Sequence, residues 1–84
     1  MSADTPTARQ LEVLRLIAEG IHAGLPPSIA ELGVALGIRS TNAVDDHLQA
    51  LTRKGLLEPR HPRRARDLAL TKAGWLWVGE RSAA

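Results

Sequence analysis

The apolar residues of the 84-residue chain recur in blocks whose spacing is typical of α-helices. The first block has intervals of three and four, which place its apolar residues on one helical face: Leu11, Leu14, Ile17, Ala18 and Ile21. Thr7 is a candidate N-cap, because its hydroxyl can accept a hydrogen bond from an unpaired backbone N–H. Gly24 and the Pro26-Pro27 pair end the pattern, since proline cannot continue a helix. We therefore predict a first helix over residues 7–22.

Two further blocks follow in close succession. Ser28 with Glu31 three residues later is a capping-box pattern, and Gly37 suits the left-handed residue that ends a helix. Ser40 and Gly55 bracket the third block in the same way. We predict helices over 28–36 and 40–54, with these residues facing the core: Ile29, Leu32, Leu36, Val44, Leu48 and Leu51. Two short helices joined by a tight glycine-bearing turn indicate a helix-turn-helix, in which the second helix can enter a DNA groove.

The segment after Gly55 predicts a small β-wing over residues 56–70. Two short strands, LLE and DLAL, flank the basic loop PRHPRRAR. Thr71 is a candidate N-cap for a last short helix over 71–81. The predicted fold is mainly α with a two-stranded wing, that is, a winged helix-turn-helix with a three-helix core and a C-terminal helix. All of residues 1–84 are assigned to this single domain.

Composition narrows the chemistry. The chain has no cysteine and three scattered histidines, which argues against disulfides, metal sites and cofactors. No apolar run approaches the roughly 20 residues that span a bilayer, and the N-terminus lacks the pattern of a secretory signal. We therefore expect a cytoplasmic, nucleoid-associated protein.

The charge is unevenly distributed along the chain. Residues 1–52 carry three cations against six acids, a net charge of −3, whereas residues 53–84 carry eight against three, a net charge of +5. Six of these cations lie between Arg53 and Arg66. Such a concentration favours a polyanionic partner, nucleic acid before an acidic membrane, although a solvated basic surface is the alternative.

The segments TARQLEVLRLI and GLPPSIAELGVALGIRSTNAVDDHLQALTRKGLLE resemble the N-terminal domain of LexA repressors over residues 7–58. The combination of PPS, LGIRS and NAVDDHLQALTRKG is more specific than a general helix-turn-helix pattern. The resemblance implies a winged helix-turn-helix that binds double-stranded DNA and represses transcription, as a homodimer on a palindromic operator. Full-length members add a self-cleaving, dimerising domain with a Ser-Lys dyad. We expect a stand-alone domain that is not an enzyme.

The resemblance places the start of the third helix in the major groove. The matching residues, together with Thr41 beside them, are the candidate base readers: Ser40, Thr41, Asn42, Ala43, Asp45 and Asp46. Asn42 has the donor and acceptor that adenine requires, and carboxylates can accept from cytosine N4. The family usually has glutamates at the two aspartate positions, so the preferred half-site is expected to differ. The alternative is that the aspartates only favour the positive end of the helix.

Affinity is expected to come from phosphate contacts. Positions that contact the backbone in the family are matched by Arg9, Arg39, Arg53 and Lys54. The predicted wing departs from the family in being more basic, and its candidate contacts are Arg60, Arg63, Arg64 and Arg66. Trp75 and Trp77 point about 200° apart on a helix, so one is expected to cover the core and either is a candidate dimer contact.

Three functional hypotheses therefore remain open. The first is a sequence-specific regulator, dimeric on a palindrome. The second is an interaction module that docks on another protein regulator or on polymerase. The third is a non-specific binder of nucleic acid or of a membrane surface through the basic wing. The first is favoured, with double-stranded DNA and a second copy as partners and no membrane association.

Overall fold

The computed structural model describes residues 5–59 and 68–79. Its four helices are α1 (Ala8–His22), α2 (Ile29–Leu36), α3 (Thr41–Arg53) and α4 (Lys72–Trp77). A single antiparallel bridge, Leu57 with Leu70, lies between α3 and α4 in the described chain. The fold is therefore mainly helical. The basic loop of the predicted wing, residues 60–67, lies outside the described residues, so the two-stranded wing stays a prediction.

Each helix is preceded by the hydroxyl residue that the sequence predicts as its N-cap. Ser28, Ser40 and Thr71 each accept a hydrogen bond from the backbone N–H three residues further on. Thr7 does the same at α1, and there Gln10 completes a capping box by accepting from the N–H of Thr7 at 3.0 Å. Thr7 is thus confirmed as the N-cap of α1, and the role of Gln10 in the capping box was not predicted. Each cap satisfies donors that the first turn leaves unpaired.

Glycines end two of the helices, as predicted. Gly37 follows α2 with a φ of +72° and Gly55 follows α3 with a φ of +77°, values in the left-handed region that favours glycine. α4 is shorter than the predicted 71–81. It ends at Trp77, and Gly79 follows in a turn with a φ of +82°.

The core is aliphatic and joins all four helices. Its buried residues are Val13, Leu14, Ile17, Ala18, Leu32, Leu36, Val44, Leu48, Leu51, Leu56, Leu57, Leu68 and Leu70. Of the predicted α1 stripe, Leu11 and Ile21 are only half-buried, whereas Val13, outside that stripe, is fully buried. The reason is that α1 packs against α2, α3 and α4, which widens its buried face.

The two segments at the base of the predicted wing are joined through their backbones. Glu58 N–H donates to the carbonyl of Ala69 at 2.9 Å, and Thr71 N–H donates to the carbonyl of Leu56 at 3.2 Å. Leu56 and Leu57 are both buried, as are Leu68 and Leu70 on the returning segment. This pairing joins residues 56–58 to residues 69–71 beside the core.

No helix in residues 5–59 and 68–79 combines the length and apolar character that membrane crossing requires. The same residues contain no cluster of three side chains suited to hold a metal ion.

Gly74 lets α4 lie directly on the backbone that follows α3. A Cβ on Gly74 would collide with the carbonyl oxygen of Leu56. We predict that Gly74→Ala lowers the free energy of unfolding by about 1–3 kcal/mol, measured by urea denaturation. Alanine would otherwise stabilise a helix by about 1 kcal/mol relative to glycine. A gain in stability would therefore contradict the close contact. Ala73→Ser, at an exposed position of α4, is the control and should cost about 0.5 kcal/mol or less.

Candidate nucleic-acid interface

The corner between α2 and α3 is built from backbone contacts. The N–H of Ile38 donates to the carbonyl of Gly33 at 2.9 Å, and Gly37 caps the end of α2 in the left-handed conformation. Ser40 then caps α3 by accepting from the N–H of Ala43 at 3.3 Å.

α3 has one buried and one exposed face. Val44, Leu48 and Leu51 are at most 1% exposed and hold the helix on the core. The candidate base readers lie together at the N-terminal end of the helix. Of these, four are exposed and two are half-buried: Ser40, Thr41, Asn42 and Asp46, and then Ala43 and Asp45. The result is a polar edge on a rigidly supported helix, the arrangement that major-groove reading requires.

The two aspartates have different surroundings. Asp45 is half-buried, and its Oδ2 accepts a hydrogen bond from Nε2 of Gln49 one turn later. Asp46 is exposed. Neither residue lies in the first turn of α3. Because the helix-dipole effect fades beyond that turn, the alternative that both aspartates serve only the helix N-terminus loses support.

Three of the candidate phosphate contacts lie on the surface. Arg39 is exposed in the turn and Arg53 is exposed at the end of α3. Arg9 is exposed in the first turn of α1, where it forms an ion pair with Glu12 at 3.2 Å. An exposed pair of this kind is weak, so a phosphate can compete with Glu12 for Arg9.

Lys54, the fourth candidate phosphate contact, makes hydrogen bonds within the domain. The residue is half-buried, and its Nζ donates to Oε1 of Gln10 at 2.6 Å and to the carbonyl of Thr5 at 3.0 Å. The ammonium thus ties the end of α3 to the start of α1. The sequence around Lys54 does not indicate this contact, because Gln10 lies more than 40 residues away along the chain.

Comparison with known proteins identifies the family to which this chain belongs. The family model described as the LexA DNA binding domain matches residues 4–67. The chain belongs to the LexA DNA-binding domain family. Relatives include the LexA repressor of Anaeromyxobacter dehalogenans (strain 2CP-1), 59% identical over 68 residues, and that of Myxococcus xanthus, 46% identical over 74 residues. These matches cover 80% and 87% of this chain. The chain itself spans only 29% and 33% of the relatives' length.

The remaining candidates of this LexA-family domain lie away from α3 or outside the described residues. Trp75 packs against the core and meets His22 edge to face, with ring centroids 5.3 Å apart. Trp77 is 42% exposed, and its neighbour Leu76 is 48% exposed. Trp75 is therefore the tryptophan that covers the core, and Trp77 is the one that faces outward. The four arginines of the predicted wing are not described: Arg60, Arg63, Arg64 and Arg66.

The contacts of Lys54 and Arg53 predict different defects for two neighbouring cations. Lys54→Met should lower the free energy of unfolding by about 1–2 kcal/mol, because two hydrogen bonds of the ammonium are lost. Arg53→Met should change stability by less than about 0.5 kcal/mol. It should instead weaken DNA binding and reduce the salt dependence of affinity. Urea denaturation and DNA titrations at several salt concentrations measure the two effects. The structural role of Lys54 would be wrong if its variant kept full stability and behaved like the Arg53 variant.

Proposed function

We propose that this domain is the DNA-reading part of a transcriptional repressor and that it inserts the start of α3 into the major groove of double-stranded DNA. The observation that carries the proposal is the polar edge of α3, which is exposed opposite a fully buried apolar stripe. Membership of the LexA DNA-binding domain family supports it, and the relatives named above are LexA repressors.

The side chains of this edge suit direct reading of bases. Asn42 is exposed and carries the adjacent donor and acceptor that pair with adenine N7 and N6. Asp45 and Asp46 accept only, which suits the amino group of cytosine. Ser40 accepts within its cap and keeps a hydroxyl hydrogen to donate. The methyl groups of Thr41 and Ala43 suit contact with thymine.

Affinity would come from cations around this edge. Arg9, Arg39 and Arg53 are exposed at three separate places on the surface and are proposed to contact phosphates. The wing arginines are proposed to add contacts with phosphates or with a narrow minor groove: Arg60, Arg63, Arg64 and Arg66.

We further propose that two copies bind a palindromic operator on the bacterial nucleoid. A two-fold symmetric site requires the same surface patch from each copy. α4 offers an outward-facing apolar pair, Leu76 and Trp77, and exposed tryptophan is common at interfaces. Trp75 is less suited, because it already packs on the core and on His22.

Asn42→Ala tests the reading role of α3. The wild-type domain should enrich a defined motif in random-site selection. The variant should lose about 1–3 kcal/mol of binding free energy on that motif and relax one base position. Its affinity for random DNA should be unchanged, since Asn42 is not assigned to a phosphate.

Glu19→Ala is the matched control, because Glu19 is exposed on α1 outside the proposed interface. It should leave the motif and the affinity unchanged. Wild-type binding that selects no motif and vanishes with added salt would instead support a non-specific nucleic-acid binder.

Trp77→Ser tests the dimer contact. It should reduce cooperative binding to the full palindrome by several-fold while leaving half-site affinity and thermal stability unchanged. Trp75→Ser should lower thermal stability, because it removes a ring that packs on the core. Gel-shift titrations and thermal melting measure these effects. Unaltered cooperativity in the Trp77 variant would place the dimer contact elsewhere.

A further inference from the structure

A hydrogen bond on the exposed side of α3 links the candidate base reader Asp45 to Gln49, which is not among the candidate DNA contacts. Gln49 donates from Nε2 to Oδ2 of Asp45 at 2.5 Å. The two residues are four positions apart, so they are neighbours on the same helical face. Gln49 is exposed, whereas Asp45 is half-buried. Gln49 therefore lies one helical turn beyond Asp45 and outside the set of candidate base readers, which ends at Asp46.

We infer that Gln49 is a positioning residue that sets base specificity by orienting the Asp45 carboxylate. The inference rests on the proposed function, because it assumes that Asp45 reads a base. It assigns to Gln49 no contact with DNA. The role follows from the direction of the bond, since an amide N–H is the donor and a carboxylate can only accept.

A carboxylate that reads a base needs this kind of support. Close to DNA it is repelled by phosphates, and ordering its side chain costs conformational entropy on binding. A hydrogen bond that already exists in the unbound protein restricts the carboxylate before DNA arrives. It also places a partial positive charge beside the carboxylate, and hydrogen bonds to charged groups are the stronger ones.

The chemistry of glutamine separates specificity from affinity. A lysine at position 49 would also donate to Asp45, but its charge would attract phosphates on every sequence. A neutral amide gives the orientation without that general attraction. Loss of the Gln49 amide should therefore reduce discrimination between bases and leave the salt dependence of binding unchanged.

The neighbours of Gln49 are consistent with a side chain that hydrogen-bonds to Asp45 on the same helix. Gln49 lines a shallow groove of about 330 Å³ with Thr52, Arg53 and Pro59. The hydroxyl of Thr52 donates to the carbonyl of Leu48 at 2.9 Å, so it is turned back onto its own helix. Gln49 thus lies between the base-reading end of α3 and the exposed cation Arg53.

The test compares Gln49→Met, Asp45→Ala and the double variant with the wild type. Methionine keeps the length of glutamine and removes the donor. Asp45→Ala first identifies, by random-site selection, the base position that Asp45 reads. At that position Gln49→Met should reduce discrimination about three- to tenfold, the range expected for one hydrogen bond. In the Asp45→Ala background Gln49→Met should have no further effect.

Control measurements keep the result specific. Affinity for random DNA, the salt slope and the thermal stability of Gln49→Met should match the wild type, because Gln49 is an exposed neutral side chain. The base position that Asp46→Ala relaxes should be unaffected by Gln49→Met. Gln49→Glu, which replaces the donor by a second carboxylate beside Asp45, should relax the Asp45 position at least as much as Gln49→Met.

Three outcomes would overturn the inference, and they differ from one another. Unchanged discrimination in Gln49→Met would show that the hydrogen bond has no role in reading. Independent, additive effects of the Gln49 and Asp45 variants at different base positions would make Gln49 a base reader itself. Failure of the wild type to select any motif would overturn the proposed function, and the inference with it.

Discussion

The position of α3 depends on a close approach between two pieces of backbone. Gly33 is buried on α2, and a Cβ there would lie 2.9 Å from the carbonyl oxygen of Ile38. The N–H of Ile38 meanwhile donates to the carbonyl of Gly33, and Gly37 turns the chain in the left-handed conformation. A side chain at Gly33 would push the turn away from α2. Because backbone atoms make this corner, α3 leaves it in one direction, and the packing of Val44 and Leu48 completes the fit.

A second link fixes the other end of α3. Lys54 donates to Gln10, which also accepts from Thr7 as part of the capping box of α1. The positive charge of Lys54 is therefore used inside the domain, while its sequence neighbour Arg53 and the neighbour of Gln10, Arg9, remain exposed. One hydrogen-bond network thus connects the two segments that carry these candidate phosphate contacts.

The features that could be predicted from the sequence are those that depend on residues close together along the chain. The caps at Ser28 and Ser40 and the stop at Gly37 each depend on residues a few positions apart, and all three are present in the structure. The features that the sequence missed depend on contacts between distant segments. The residues near Lys54 do not indicate that Gln10 is its hydrogen-bond partner. The close contact of Gly74 with the backbone of Leu56 forms only when α4 packs against the segment that follows α3. The Asp45–Gln49 bond is local, but an i, i+4 spacing on an exposed helix face is too common to single out without coordinates.

The proposed division between specificity and affinity follows from where the charges lie. The polar edge of α3 carries the two carboxylates of Asp45 and Asp46, whereas cations are concentrated between Arg53 and Arg66. Attraction to any DNA would therefore come from outside the polar edge, and the edge itself would be repelled wherever its aspartates found no donor on a base. A wrong sequence would then cost more than a lost hydrogen bond, because a carboxylate would be left desolvated near phosphates. Under the same proposal, the hydrogen bond from Gln49 to Asp45 would strengthen that penalty, since a carboxylate held in place could not turn away from a mismatched base.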